Sequence, residues 1–310
     1  MQLVVATSTG SSPGRQGYKM AIGADGELIG SIGGGVMEVR LAEAAKWKIE
    51  SGKWKIDSEL IEQIHRKDVT NASGMICSGK QSVIYRQLGQ DDLSTVESII
   101  NALENRRVNY VTVTPDKFSV VPLEGGTPNG GTPNDYNFER ISDTDFVYKE
   151  KLGAKNDLYI VGGGHCALAL SELMSKMDFH IRIFDDRPEL NTLEKNRFAD
   201  EITIIDTYEK IGDHISSGPN VYVVVMTLGY ASDEVVIRQI IGHDLKYFGV
   251  LGSMAKIKTL MVSLEKDGIA KSQLARIHTP AGLPINSHTP EEIAVSIAAE
   301  IIAIKNTSLC

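Results

Sequence analysis

Residues 157–187, DLYIVGGGHCALALSELMSKMDFHIRIFDDR, restrict the fold more than any other part of the chain. Leu158 to Val161 form a short continuous apolar run, as expected of a strand buried on both faces, and three glycines follow at once. Ala167, Leu168, Leu170, Leu173, Met174 and Met177 then recur at helical spacing. A second apolar strand, Phe179 to Phe184, ends on Asp185 and Asp186. Strand, glycine turn, helix, strand and acid make a βαβ unit. Gly162-x-Gly164-x-x-Ala167 matches the dinucleotide-binding fingerprint in its Gly/Ala form. Such glycines let backbone N–H groups approach a pyrophosphate at a helix N-terminus. Asp185 stands where an acid reaches a ribose hydroxyl and favours NAD over NADP, with Arg187 nearby to soften that choice. The same crevice also suits another phosphate-bearing ligand.

Further buried strands are expected at 202–205, 221–226 and 247–251, separated by helical patterns at 207–215 and 232–242. The result is a Rossmann-like, doubly wound parallel sheet over 157–310. Ligands sit at the carboxyl ends of such strands, which nominates Thr227, Gly229, Asp233, Gly252, Ser253 and Lys256. Thr289, Pro290 and Glu292 form a capping box that opens a helix over 290–305. Its small-residue face, Ala294, Ala298 and Ala299, suits close packing on the sheet or on a second copy in a homodimer. His278 and His288 have no acidic or cysteine ligand between them and read as polar loop residues rather than a metal site.

The first 123 residues read as a separate α/β domain. Residues 3–7 form a buried strand, and a polar glycine-rich loop with Ser11, Ser12 and Arg15 precedes an extended segment at 18–22. Asp25-Gly26 turns the chain into a strand at 28–32, and Gly33, Gly34 and Gly35 open a helix. This turn is either a packing device or an anion site, to which Ser11, Ser12, Arg15 and Ser31 contribute if the strands are neighbours. Glu38, one turn into the helix, complements its dipole in either case. A helix is expected to close at 61–66, a strand at 82–88, a helix at 92–105 and a hairpin at 110–121. Cys77 lies in a loop flanked by Gly74 and Gly79, where both a structural and a functional thiol fit. Cys166, at the start of the Rossmann helix, is expected to have a lowered pKa. Residues 124–156 begin with EGGTPNGGTPND and read as a linker and crossing segment that docks on one domain.

A formal net charge of −8 with no basic stripe speaks against nucleic acid or an anionic membrane surface as partner. The sequence shows no membrane-length apolar run and no secretory leader, and its three scattered cysteines suggest reduced thiols in a cytoplasmic protein.

Taken together, Gly10-Ser11-Ser12-Pro13, Gly30-Ser31-Ile32-Gly33-Gly34-Gly35 with Glu38, Met75-Ile76-Cys77-Ser78-Gly79, Gly162-Gly163-Gly164-His165, Asp185-Asp186-Arg187, Gly252-Ser253 with Lys256, and Pro290-Glu291-Glu292-Ile293-Ala294 resemble the XdhC/CoxI family of xanthine dehydrogenase accessory proteins. The resemblance implies a carrier that binds molybdenum cofactor (molybdopterin), protects it while its terminal sulfur is installed, and delivers it to a xanthine dehydrogenase-type hydroxylase. It further implies a cysteine desulfurase as partner, His165, Asp186 and the residues above as cofactor contacts, and Cys77 as the thiolate that handles sulfur or touches molybdenum. The competing reading is an NAD(P)-dependent oxidoreductase with Lys256 or His165 as acid or base.

Overall fold

The computed structural model describes residues 1–10, 12, 14–52, 57–64, 79–122, 136–153 and 156–307. The chain divides into two compact units, Met1–Ala154 and Lys155–Cys310.

The first unit contains β1 (Gln2–Gly10), β2 (Lys19–Ile22), β3 (Leu28–Gly30), α1 (Gly35–Ser51), β4 (Ser58–Ile64), β5 (Gly79–Arg86), α2 (Leu93–Glu104), β6 (Asn109–Val113), β7 (Phe118–Pro122), β8 (Tyr136–Arg140) and β9 (Phe146–Leu152). One antiparallel sheet runs β3-β2-β1-β5-β4 and a second runs β7-β6-β9-β8. The apolar run of β1 serves two cores. Leu3 and Val5 pack with Met37, Leu41 and Ala45 of α1, while Val4 and Ala6 face Val111, Val113, Phe146 and Tyr148 of the second sheet. The alternation of strand side chains between the two faces explains why no polar residue interrupts that run.

Two sequence expectations change here. Of the residues expected to close a helix at 61–66, those at 61–64 lie in β4, which pairs with β5 from Ser58↔Arg86 to Ile64↔Lys80, so cross-strand pairing overrides local propensity there, while 65 and 66 lie outside the described residues. The segment read as crossing chain is a hairpin, β8 and β9, whose second strand pairs with β6 inside the first unit. Its inward residues Phe146 and Tyr148 are followed by the charged run Lys149, Glu150 and Lys151, which hides the strand in the sequence.

The second unit contains β10 (Asn156–Val161), α3 (His165–Met174), β11 (Phe179–Asp185), α4 (Asn191–Lys195), β12 (Glu201–Ile204), β13 (Gly218–Val225), α5 (Tyr230–Ile240), β14 (Leu245–Val250), α6 (Met254–Lys266), α7 (Lys271–Leu274) and α8 (Pro290–Asn306). Its five strands are parallel in the order β12-β11-β10-β13-β14. Leu158 and Ile160 pack under α3 and α8, and Tyr159 and Val161 under α5 and α6, so helices cover both faces as in a doubly wound sheet. The pattern at 207–215 forms a 3-10 turn, Tyr208–Asp213, whose Tyr208 and Ile211 enter the same core. The capping box of α8 is present in both directions, Thr289 with Glu292, and Ala294 and Ala298 are buried with α3 residues. No helix of the described residues is long and apolar enough to cross a membrane.

Candidate functional site

Two regions carry the residues singled out in the sequence, one in each unit. In the first unit the polar loop after β1 and the glycine turn before α1 do meet. Gln81 of β5, fully buried, accepts from Ser12 Oγ (2.7 Å) and donates to the Ile32 carbonyl (3.2 Å). A Cβ on Gly14 would lie 2.2 Å from the same carbonyl. Sequence reasoning missed Gln81, although an amide opening the apolar stretch of β5 was the signal.

Gly33, Gly34 and Gly35 all have positive φ (126°, 73° and 73°), a backbone that demands glycine. Several donors of this turn are already used. Glu38 Oε2 accepts from Ser31 Oγ (2.6 Å), Ile32 N (2.8 Å) and Gly34 N (3.0 Å), while Gly33 N donates to Ser31 Oγ (3.1 Å). Burial acts against ionisation of Glu38, yet the Ser31 hydroxyl and the N–H groups of Gly34, Ile32 and Gly33 hold its carboxyl below the usual range. An external anion at this turn would therefore have to displace a carboxylate of the same chain. Arg15 is exposed, whereas Ser11 and Cys77 lie outside the described residues; β5, which Cys77 precedes, begins at Gly79 opposite Gly10.

In the second unit, β10 and β13 are neighbours whose connections leave toward opposite edges of the sheet, which makes the crevice beyond their carboxyl ends the topological switch point. Gly162 closes the first side of it: φ is +109°, and a Cβ would meet the Met226 carbonyl at 2.3 Å. Gly163 likewise has no room, with Leu193 Cδ2 at 2.4 Å. Gly164 and Gly229 are different. They are the N-caps of α3 and α5, with φ of −71° and −138°, and a Cβ on either meets nothing within 4 Å. Neither backbone conformation nor packing within the protein requires glycine there, so both leave a space that side chains would fill, at two helix N-termini whose first N–H groups have no intrahelical partner. That cradle fits the phosphates of a nucleotide or of a pterin cofactor.

Around it stand the other predicted residues. Asp233, on the first turn of α5, is fully buried; it accepts from Thr227 Oγ1 and N, and its Oδ2 lies 2.6 Å from Lys256 Nζ. Ser253 caps α6 by accepting from Lys256 N (3.3 Å), and Gly252 packs on Lys256 and Ile257. His165 is exposed at the first position of α3. Asp185 is fully buried and accepts from Gly163 N (2.6 Å) and from the Arg187 guanidinium. Burial alone would push its carboxyl up, but Arg187 and Gly163 hold it below the usual range. Asp186 stays accessible and accepts from Tyr208 Oη at 3.3 Å.

Sequence reasoning missed Leu228, in the loop after β13, and Met254, the first residue of α6, which are 83% and 70% exposed, apolar side chains offered at the carboxyl end of the sheet. It also missed Glu300, whose Oε2 accepts from Tyr247 Oη (2.6 Å) and Gly282 N (2.7 Å) while His278 Nδ1 lies 3.0 Å from its Oε1. His278 thus anchors the loop before α8, and the described residues contain no cluster of three metal-ligating side chains.

Comparison with known proteins agrees with this architecture. Residues 158–301 match the XdhC Rossmann domain, and residues 2–57 match the XdhC and CoxI family. The chain is 26% identical to a protein of Bacillus subtilis (strain 168) named as a probable xanthine dehydrogenase subunit, over 94% of this chain and 89% of that one. It is 22% identical to YqeB of Escherichia coli (strain K12) over 98% of this chain, spanning 43% of the length of that relative. In fold it is similar to a crystal structure described as a xanthine dehydrogenase from Bacillus halodurans, with a TM-score of 0.75 and 21% identity over 99% of this chain and 91% of that one. With both of its units matched by domains of one family, the chain belongs to the XdhC and CoxI family.

Proposed function

We propose that this chain is an accessory protein in the maturation of a xanthine dehydrogenase-type molybdenum hydroxylase. It binds molybdenum cofactor, shields it while the terminal sulfur is installed with a cysteine desulfurase as donor, and passes it to the apo-hydroxylase, working as a homodimer. Family membership and the name of the Bacillus subtilis relative support the client. The observation that carries the binding step is the open space beside Gly164 and Gly229 at the switch point. There the free N–H groups of α3 and α5 would hold the phosphates, and the apolar side chains of Leu228 and Met254 are placed to cover a flat ring. The bound group would supply the molybdenum and its dithiolene; the chain's own task is to orient it and keep water away. Cys77 is proposed as the thiol that touches the metal or handles sulfur.

The alternative, an NAD(P)-dependent oxidoreductase, uses the same crevice. Lys256, its candidate acid or base, is engaged by buried Asp233, which favours the carrier. Purified protein scanned for pterin absorbance, then titrated calorimetrically with NAD(H) and NADP(H) and assayed for activation of an apo-hydroxylase, separates the two. Bound pterin with activation supports the carrier; hydride transfer between a nicotinamide and a substrate, without activation, replaces it with the alternative.

A further inference from the structure

A dinucleotide-binding Rossmann domain places a carboxylate at the end of its second strand to accept from the ribose hydroxyls and repel a phosphate. Asp185 holds that position and is not available for that work. It has no exposed surface, and its two oxygens take Gly163 N (2.6 Å), Arg187 N (2.9 Å), Arg187 Nε (2.8 Å) and Arg187 Nη2 (2.7 Å). Its charge is matched by the guanidinium it grips.

The loop after β11 offers to solvent Arg187, with 33% of its side chain exposed, Asp186, with 41%, and the exposed Pro188 and Glu189. Asp185 engages the Nε–Nη2 edge of Arg187. A guanidinium has a second edge, Nη1–Nη2, whose parallel N–H groups match two oxygens of a phosphate. Because the first edge is already fixed, little side-chain freedom remains to be lost when the second is used. Asp186 opposes this with its own charge, but it lies 4.0 Å from Arg187 Nε, outside hydrogen-bond range, and accepts from Tyr208 Oη.

Resting on the binding site proposed above, we infer that Arg187, rather than Asp185, reads the ligand at this corner. It selects a phosphomonoester over the corresponding free hydroxyl. The phosphate is either the 2′-phosphate of a dinucleotide or the side-chain phosphate of a pterin. The preference for NAD expected from the sequence is thereby reversed.

The intact protein is titrated calorimetrically with two pairs of probes, NAD⁺ with NADP⁺, and an oxidised pterin fragment with and without its phosphate. The phosphorylated member of at least one pair should bind about tenfold tighter or more, the scale of one charge-assisted contact, and the pair that shows it identifies the source. Arg187→Gln should remove the difference. Because that change leaves Asp185 buried without its partner, Arg187→Lys is made beside it: the charge is kept, the fork is lost, and most of the preference should go while the thermal midpoint is largely retained. Asp186→Asn should widen the preference. Equal or tighter binding of the unphosphorylated members, or a preference that survives both Arg187 variants, overturns the inference while leaving the site intact. Failure of all four probes to bind removes the proposed site itself, and the inference with it.

Discussion

Glu38 Oε2 lies 2.6 Å from Ser31 Oγ, so a carboxylate one turn inside α1 closes the turn from which that helix starts. The arrangement is a nest of N–H donors supplied with its own anion, and it makes the glycine turn of the first unit a self-contained structure. Its pH dependence follows. A carboxyl whose folded pKa is depressed contributes stability that is present above its unfolded pKa, about 4.3, and is lost as pH falls through the folded value. We expect Glu38→Gln to cost about 1 kcal/mol at pH 7, a modest figure because the group is partly exposed, and the gap from wild type to narrow below about pH 4. Urea titrations at pH 7 and pH 3.5 check this; an equal loss at both would remove the ionic account.

Gly162 and Gly164 should respond oppositely to the same substitution. Gly162→Ala forces an L residue to φ +109° with its Cβ against the Met226 carbonyl, and should destabilise the second unit by about 3 kcal/mol or more. Gly164→Ala should leave thermal stability nearly unchanged and weaken ligand binding, since the added methyl enters space the fold does not use. A Gly164→Ala protein with undiminished affinity for pterin or nucleotide would place the ligand elsewhere.

Asp233 and Lys256 form a pair whose acid is wholly buried. Lys256→Met leaves that carboxylate with the Thr227 donors alone and should cost about 2–4 kcal/mol. Adding Asp233→Asn, which keeps the acceptor and removes the charge, should restore most of the loss. A double-mutant cycle by denaturant titration measures the coupling, and additive losses would mean the two groups are independent.

Cys166 departs from the lowered pKa that its place at a helix start suggests. Burial, followed by the negative charge of Glu291, instead pushes its thiol up. Iodoacetamide at pH 7.5 should therefore modify Cys166 severalfold more slowly than a thiol in an unstructured peptide, as followed by mass spectrometry of tryptic fragments. Cys166→Ser should leave activation of an apo-hydroxylase intact, whereas Cys77→Ser should abolish it. The reverse result would assign the sulfur chemistry to Cys166.

Most of the second unit is legible in the sequence because its signals are local: an apolar run of strand length, glycines between strand and helix, and the Thr289 capping box. The first unit is less so. Its strands pair across long sequence distances, and β9 alternates Phe146, Tyr148 and a buried Glu150 with less buried neighbours. Glu150 is accounted for by Lys19 of β2 and the Tyr148 hydroxyl, and no local window contains that lysine. The sites follow the same division. Position along the chain nominated Asp185 for the ligand, but whether a carboxylate faces a crevice or is enclosed by the arginine two residues later depends on rotamers and burial, which a motif does not encode.

Gln81 has a consequence for how the first unit moves. A single amide, with no solvent to exchange partners with, is bonded at one end to the loop after β1 and at the other to the turn that starts α1. Water cannot replace one contact while the other persists without leaving a buried polar atom unmatched, so the two segments share one latch and are expected to open as one body. The strand that carries this latch begins only two residues after Cys77, at Gly79. Any rearrangement that draws the start of β5 out of register would release both loops together, because one side chain holds them.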